Sequence, residues 1–198
     1  MTRFRRLLAQ LDLNLLLIGL FLLPAFHPLF KPTLTASSDG LVHLYRLVAL
    51  DHAIRQGLLF PRWMPDLVFG YGLPLFVYYA PLSYYIAELP HALGLPAVLA
   101  MNASLALSLL VGAWAMYLFV RDLFNPTAGL VAAITYAYTP FQLLNLYARG
   151  SPPTAWSMAF FPLALWACRR LTNDRRDNLA NLLLAALTFT ALFLTHNI

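Results

Sequence analysis

Residues 95–120 read LPAVLAMNASLALSLLVGAWAMYLFV and contain no charged side chain. A transmembrane helix needs about 20 mainly apolar residues, so this stretch predicts a helix that crosses a membrane. The whole 198-residue chain agrees with this, because 61% of its residues are hydrophobic and only 11% are charged. Ordinary soluble domains carry about 25% charged residues. The sequence therefore predicts an integral membrane protein.

The net charge of +5 does not indicate a protein that binds nucleic acid, because the arginines are not gathered into one stripe. They lie in clusters between apolar runs, as the topology determinants of membrane proteins do. A single cysteine, Cys168, excludes an internal disulfide bond.

Four other segments are apolar enough to be candidate membrane spans. They are residues 8–27, 127–147, 153–169 and 179–198. Together with residues 95–120 they predict an all-α fold, a polytopic bundle of transmembrane helices. Because the last apolar run reaches Ile198 without a stop signal, we expect the chain to be the N-terminal part of a longer protein, inactive by itself.

Two clusters of arginines set the predicted topology, because the cytoplasmic flanks of membrane spans carry an excess of Lys and Arg. The clusters are Arg3, Arg5 and Arg6, and Arg169, Arg170, Arg175 and Arg176. Both can be cytoplasmic only if an even number of spans separates them. This condition is met if the proline-interrupted segment 73–93 does not cross the membrane. Residues 28–94 then form one long extracytoplasmic segment with helices at the membrane surface, and we expect the cytoplasmic (inner) membrane as the location.

Asp39 begins a polar motif in this external segment, where residues 39–46 read DGLVHLYR. On a helix, His43 and Arg46 share one face with Asp39, at i+4 and i+7. One interpretation makes Asp39 a catalytic carboxylate. The other makes it a helix N-cap, a position that favours Ser, Thr, Asp and Asn. The residues alone leave both interpretations open.

Arg149 and His196 are two further candidates on the external side. The planar guanidinium of Arg149 suits phosphate oxygens, although this side chain could instead reach towards lipid headgroups. His196 lies near the outer end of the last predicted span, where an ionisable group is a candidate for function and a packing role is the alternative. The predicted topology brings Asp39, Arg149 and His196 to one side of the membrane.

The order of these features resembles the GT-C superfamily of membrane glycosyltransferases. The resemblance rests on a basic first span, Asp39 in a long first external loop, and an aromatic segment at 73–85 that reads LPLFVYYAPLSYY. A span that ends in RDLF at 121–124 and the sequence YARG at 147–150 follow. More narrowly, the chain is similar to the bacterial 6-pyruvoyl-tetrahydropterin-synthase-related multi-spanning membrane proteins.

The resemblance implies transfer of a sugar from a polyprenyl-phosphate donor to an unidentified extracytoplasmic acceptor. It implies that Asp39 is the catalytic base or a metal-linked acid, and that the surrounding residues bind the phosphate-sugar. Those binding residues are His43, Arg46, Arg149 and His196. A divalent metal ion is left open, because the second external loop at 150–154 lacks the carboxylate that many members carry there. The partners expected are membrane lipid and the lipid-linked sugar.

Two other classes of function compete with a transferase. A transporter or lipid flippase would have paired charges near mid-membrane and repeat symmetry between its halves, and the predicted spans have neither. A non-catalytic membrane scaffold would tolerate the loss of Asp39.

Overall fold

The structure is a computed structural model that describes residues 12–173 and 178–196. Within these ranges the chain is helical, and its single extended pairing is an isolated bridge between Met64 and Leu73. This confirms the predicted all-α class. The topology determinants Arg3, Arg5, Arg6, Arg175 and Arg176 lie outside the described residues.

Ten α-helices follow one another along the described chain. They are α1 (Leu13–Phe21), α2 (Leu23–Phe26), α3 (Gly40–Arg55), α4 (Leu75–Tyr78), α5 (Leu82–Ala92), α6 (Ala97–Leu123), α7 (Pro126–Ala137), α8 (Pro140–Leu143), α9 (Pro152–Asn173) and α10 (Asn178–Thr195). A 3-10 turn at His27–Phe30 continues α2, and a π-helical turn at Leu144–Arg149 continues α8.

Helix α6 is the centre of the fold and, among the described helices, the one long and apolar enough to cross a membrane by itself. The segment from Leu13 to Phe30 would supply a second span if its two halves, bent by 45°, count as one. Helices α7 and α9 pack along α6, and at Gly112 a β-carbon would lie 3.2 Å from the Ala159 Cα. Small residues of this kind allow close helix packing. The polytopic arrangement stays a prediction.

The predicted span at 127–147 differs from the structure, where α7 ends at Ala137 and α8 begins at Pro140. Proline cannot donate a backbone hydrogen bond, and it pushes the preceding residue out of the helical region. Thr139 accordingly has an extended backbone, with ψ at 141°. The apolar run is therefore continuous in sequence but broken in structure.

The segment 73–93 is not one continuous helix either, since α4 ends at Tyr78 and α5 begins at Leu82. Helix α5 packs against α6 and also against α3. Leu47 of α3, Ala87 of α5 and Met101 of α6 form the buried cluster that joins the three helices. These contacts fix the helices of the external segment near the N-terminal end of α6.

A polar network lies at the opposite end of α6. The hydroxyl of Tyr117 donates to Asp12 Oδ2 at 2.5 Å, and Arg121 Nη1 donates to the same oxygen at 3.0 Å. The indole of Trp166 donates to Asp122 Oδ2 at 2.7 Å. At about 1.5 Å of rise per residue, this network lies about 30 Å along α6 from the cluster around α3. That separation equals the hydrocarbon thickness of a typical bilayer.

Candidate functional site

Asp39 is the N-cap residue of α3, but its carboxylate makes no capping hydrogen bond. Asp39 Oδ2 instead lies 3.3 Å from Arg149 Nε. The side chains of Asp39 and Arg149 are 44% and 48% exposed, so a molecule from solution can reach both. The N-cap interpretation therefore describes the position of Asp39 in the chain, and the ion pair describes what its side chain does.

Two backbone hydrogen bonds hold the segments of Asp39 and Arg149 together. The amide of Ser38 donates to the Ala148 carbonyl at 2.9 Å, and the amide of Asp39 donates to the Arg149 carbonyl at 3.0 Å. The paired side chains are 110 residues apart in sequence. Their proximity is thus a property of the backbone and not of two long side chains that happen to meet.

The π-helical turn and Gly150 explain why these carbonyls are available. The turn ends at Gly150, which has a left-handed φ of 66° that glycine adopts without cost. The Gly150 amide donates to the carbonyl of the buried Asn145, at 3.0 Å. A β-carbon at Gly150 would lie 2.5 Å from Ser37 Oγ, so only glycine fits this crossing. Single π-helical turns of this kind are frequent at functional sites.

His43 lies in the buried face of α3, with a side chain that is 3% exposed. Its Nδ1 is 2.7 Å from the hydroxyl oxygen of Tyr84 on α5. Burial, with Arg46 nearby, lowers the pKa of His43 to about 4, so the ring is neutral at pH 7. The structure thus places His43 beneath the surface as a neutral partner of Tyr84, and its role in binding the phosphate-sugar stays a prediction.

Arg46 is held from behind by two tyrosines. Its Nη1 donates to the Tyr84 hydroxyl at 3.2 Å, and its guanidinium carbon lies 4.3 Å from the centre of the Tyr79 ring. A cation over an aromatic ring is stabilised electrostatically. Burial raises the pKa of Tyr84, so its hydroxyl stays protonated over the physiological range. The guanidinium is fixed in direction but remains partly open.

Arg46 lines a pocket of about 510 Å³ together with Asp66. Pockets that bind small molecules have volumes of about 300–1,000 Å³. The rest of the lining is apolar and comes from α3 and from the loop before α4: Val42, Tyr45, Leu67, Val68, Phe69 and Leu73. The pocket therefore combines one cation and one carboxylate with apolar walls.

The loop wall of this pocket is strained. Val68 and Phe69 both have φ at 56°, a left-handed conformation that costs an L-residue roughly 1–2 kcal/mol. The loop is closed at its base by two backbone hydrogen bonds between Met64 and Leu73, of 2.8 and 3.0 Å. Strain that the surrounding structure holds in place is typical of ligand-binding segments.

The sequence did not single out three residues of this site: Asp66, which lines the pocket, and Tyr79 and Tyr84, which contact Arg46. Asp66 follows a proline-bounded loop, which favours a structural role, and tyrosines at this density favour an aromatic belt at the membrane interface. The density of tyrosines in residues 73–85 was the available signal, but it does not tell which rings face Arg46. Only the packing of α5 on α3 does so.

His196 does not line the Arg46 pocket. It borders a smaller pocket of about 210 Å³ with Phe161, Leu192 and Phe193. Its Nδ1 is buried and has no hydrogen-bond partner within the described residues. The structure therefore brings together Asp39, Arg149 and the Arg46 pocket on α3, whereas His196 belongs to a different pocket.

A metal ion does not fit the described residues. Across residues 12–173 and 178–196, no group of three or more His, Cys, Asp or Glu side chains is arranged to hold one.

Residues 76–198 match the family described as the 6-pyruvoyl-tetrahydropterin synthase related domain, a family of membrane proteins. The chain belongs to this family. The match confirms two predictions from the sequence: the narrower family resemblance and the location in a membrane. Membership of the GT-C superfamily, the inner membrane and the orientation stay predictions. Tyr79, Tyr84 and Arg149 lie inside the matched region, and Asp39 and Arg46 precede it.

Across 179 residues the chain is 22% identical to an uncharacterized protein of Lactococcus lactis subsp. cremoris (strain MG1363). The match covers 88% of this chain and 29% of that protein. This member of the family therefore spans less than a third of the length of its relative. No solved structure significantly matches the 198-residue chain.

Proposed function

We propose that the chain is part of a membrane glycosyltransferase that moves a sugar from a polyprenyl-phosphate donor to an extracytoplasmic acceptor. The main support is the Asp39–Arg149 pair, in which an accessible carboxylate and an accessible guanidinium lie 3.3 Å apart. Transfer of a sugar from a phosphate needs both groups: a base for the acceptor and a cation for the leaving phosphate.

In the proposed reaction, Asp39 takes the proton of an acceptor hydroxyl. The acceptor oxygen then forms a bond to the anomeric carbon of the donor sugar. The bond from this carbon to the phosphate oxygen breaks, and its electron pair stays on the polyprenyl phosphate. Asp39 afterwards releases its proton to water, so the site returns to its starting state.

Two arginines are available for the charge on the leaving phosphate. The Asp39–Arg149 pair is about half exposed, and ion pairs of this kind contribute only about 0–1 kcal/mol, so a substrate phosphate can take over Arg149. Arg46 lies seven residues along α3, on the same face as Asp39 and about 10 Å away along the axis. An acceptor hydroxyl and an anomeric carbon fit between a base and a phosphate at that separation.

The test compares Asp39→Asn with the unchanged protein in membranes of its own host, at the full length of the gene product and at matched abundance. The readout is the transfer of labelled sugar from a polyprenyl-phosphate pool to extracytoplasmic material. We expect Asp39→Asn to lower transfer at least a hundredfold, because a general base contributes about 10²–10⁴ in rate.

Asp51→Asn is the matched control. Asp51 lies on the same helix, and its carboxylate is bound by Arg55 Nε at 2.7 Å, away from Arg149. Its substitution also removes one negative charge from α3, but it should leave transfer within a few-fold of normal. Equal transfer by the Asp39→Asn protein and the unchanged protein would remove Asp39 from the mechanism.

A further inference from the structure

We propose that the pocket between α3 and the loop at 65–72 binds a phosphate-bearing amphiphile whose head also carries a hydrogen-bond donor. The carboxylate of Asp66 accepts the hydrogen bond from this donor. The phosphate lies on Arg46, the donor group reaches Asp66, and the chain follows the apolar wall formed by Val68 and Phe69. The proposal shares Arg46 with the proposed function, but it concerns binding, so either can fail without the other.

The first argument is the fixed direction of Arg46. One nitrogen donates to the Tyr84 hydroxyl at 3.2 Å, and the guanidinium plane is supported by the Tyr79 ring at 4.3 Å. Arg46 also lines the pocket, so part of the guanidinium faces the space that a ligand would occupy. A guanidinium with its orientation set in advance suits the fork-like recognition of phosphate oxygens.

The second argument is the carboxylate of Asp66. Asp66 lines the same pocket as Arg46, yet no ion pair joins these two side chains in the described part of the chain. Within 4 Å of the Asp66 carboxylate, the basic side chain in the described part of the chain is the exposed His52, whose Nε2 is 3.9 Å from Asp66 Oδ2. A carboxylate repels a bare phosphate and accepts hydrogen bonds from hydroxyl or ammonium groups. The pocket therefore matches a head with two different polar parts.

The third argument is the apolar wall. Val68 and Phe69, whose backbones are left-handed, line one side of the pocket. Val42, Tyr45, Leu67 and Leu73 complete the apolar lining. A free phosphate would use none of this surface. An amphiphile would bury part of it and gain free energy in proportion to the apolar area that is removed from water.

Four single-chain probes separate these contributions in neutral maltoside micelles. All have a twelve-carbon chain and a phosphate: dodecyl phosphate, dodecylphosphocholine, dodecylphosphoglycerol and dodecylphosphoethanolamine. Dodecylphosphocholine has a positive head without N–H or O–H groups, so it is the charge control for dodecylphosphoethanolamine. Native mass spectrometry of the purified protein at its full length would give the dissociation constant of each probe, with inorganic phosphate as competitor.

We expect the glycerol or ethanolamine head to bind at least tenfold more tightly than the choline head. Asp66→Asn should remove this preference and leave the affinity for dodecyl phosphate the same or higher. Arg46→Gln should weaken all four probes at least tenfold, and Arg46→Lys, which keeps the charge, checks that a loss is not a loss of folding. Arg62→Gln removes an exposed arginine of the same segment that does not line the pocket, and it should change nothing.

Several results would overturn the proposal. An unchanged head preference in Asp66→Asn would exclude Asp66 as the acceptor of this hydrogen bond. Full displacement of the probes by an equal concentration of inorganic phosphate would show that the apolar wall does not contribute to binding. Undiminished binding by both Arg46 variants would show that the phosphate of the ligand does not bind at Arg46. If the proposal holds, preference for the glycerol head indicates a lipid with a hydroxylated head, such as a sugar carrier, and preference for the ethanolamine head indicates a zwitterionic bilayer lipid.

Discussion

Gly150 approaches Gly40 so closely that a β-carbon on Gly150 would lie 3.3 Å from the Gly40 Cα. The same β-carbon would lie 2.5 Å from Ser37 Oγ. This crossing of two backbones, one at the start of α3 and one after the π-helical turn, sets the distance between Asp39 and Arg149.

Gly150→Ala should therefore destabilise the protein. Both the steric overlap with Ser37 and the left-handed φ of 66° act against the alanine, and we expect a loss of about 1–3 kcal/mol in the free energy of unfolding. Thermal unfolding in maltoside micelles measures it. Gly19→Ala is the control, because a β-carbon there meets nothing within 4 Å. Adding Ser37→Gly should recover part of the loss, and the absence of recovery would show that the overlap with Ser37 is not its cause.

His43 should make the stability of the protein depend on pH. Its folded-state pKa of about 4 lies below the ordinary value of 6.5, so the unfolded chain binds more protons between these two values. Stability is therefore complete above pH 6.5 and is lost as the pH falls towards 4, by up to about 3 kcal/mol. The unfolding free energies of the unchanged protein and of His43→Gln, compared from pH 7.5 to 4.5, isolate the contribution of His43 to the pH dependence of stability. His52→Gln, at an exposed histidine of the same helix, is the matched control for the loss of one imidazole.

Glu88 should contribute a pH dependence of the opposite sign. It is 5% exposed, and neither carboxylate oxygen has a hydrogen-bond partner within the described residues. Burial, with Asp51 nearby, raises the pKa of Glu88, so the folded protein loses stability as the pH rises from the ordinary value through the raised one. Glu88→Gln should be more stable than the unchanged protein at pH 8 and about equal to it at pH 4. A variant that is less stable at pH 8 would contradict this assignment.

Tyr117→Phe should weaken the polar network at the far end of α6. The Tyr117 hydroxyl is fully buried, donates to Asp12 Oδ2 and accepts from Asn14 Nδ2 at 3.0 Å. A hydrogen bond to a charged group contributes about 1.5–3 kcal/mol, so a loss of that size in the unfolding free energy is expected. Tyr45→Phe, at a tyrosine that is 61% exposed, is the matched control for removal of one hydroxyl.

Hydropathy was sufficient to predict the helical class and the position of α6, because a long apolar run without charge has few other structures available. It was not sufficient for α7, where the apolar run continues through Pro140 but the helix does not. The meeting of Asp39 with Arg149 was anticipated only as a shared side of the membrane, from the arginine count. Their contact depends on Gly150, whose left-handed backbone no hydropathy pattern encodes.

The role of His43 shows a second limit of the sequence. A helical wheel places it with Asp39 and Arg46, which reads as a polar face. In the structure His43 and Arg46 both contact the Tyr84 hydroxyl on α5, but the His43 ring is buried there, whereas Arg46 stays partly exposed. The Arg46 pocket could not be predicted for a related reason. Part of its wall depends on left-handed backbones at Val68 and Phe69, and neither residue is a glycine, the residue type that would have indicated this conformation.

The hydrogen bonds from Ser38 and Asp39 to Ala148 and Arg149 impose an order on biosynthesis. Asp39 leaves the ribosome 110 residues before its partner, and at about 5–20 residues per second the delay is roughly 5–20 s. During this time Ser38 and Asp39 lack their final backbone partners. The site is therefore assembled late, when the segment that carries Gly150 arrives. A nascent chain stopped before that point would present α3 without the Asp39–Arg149 pair.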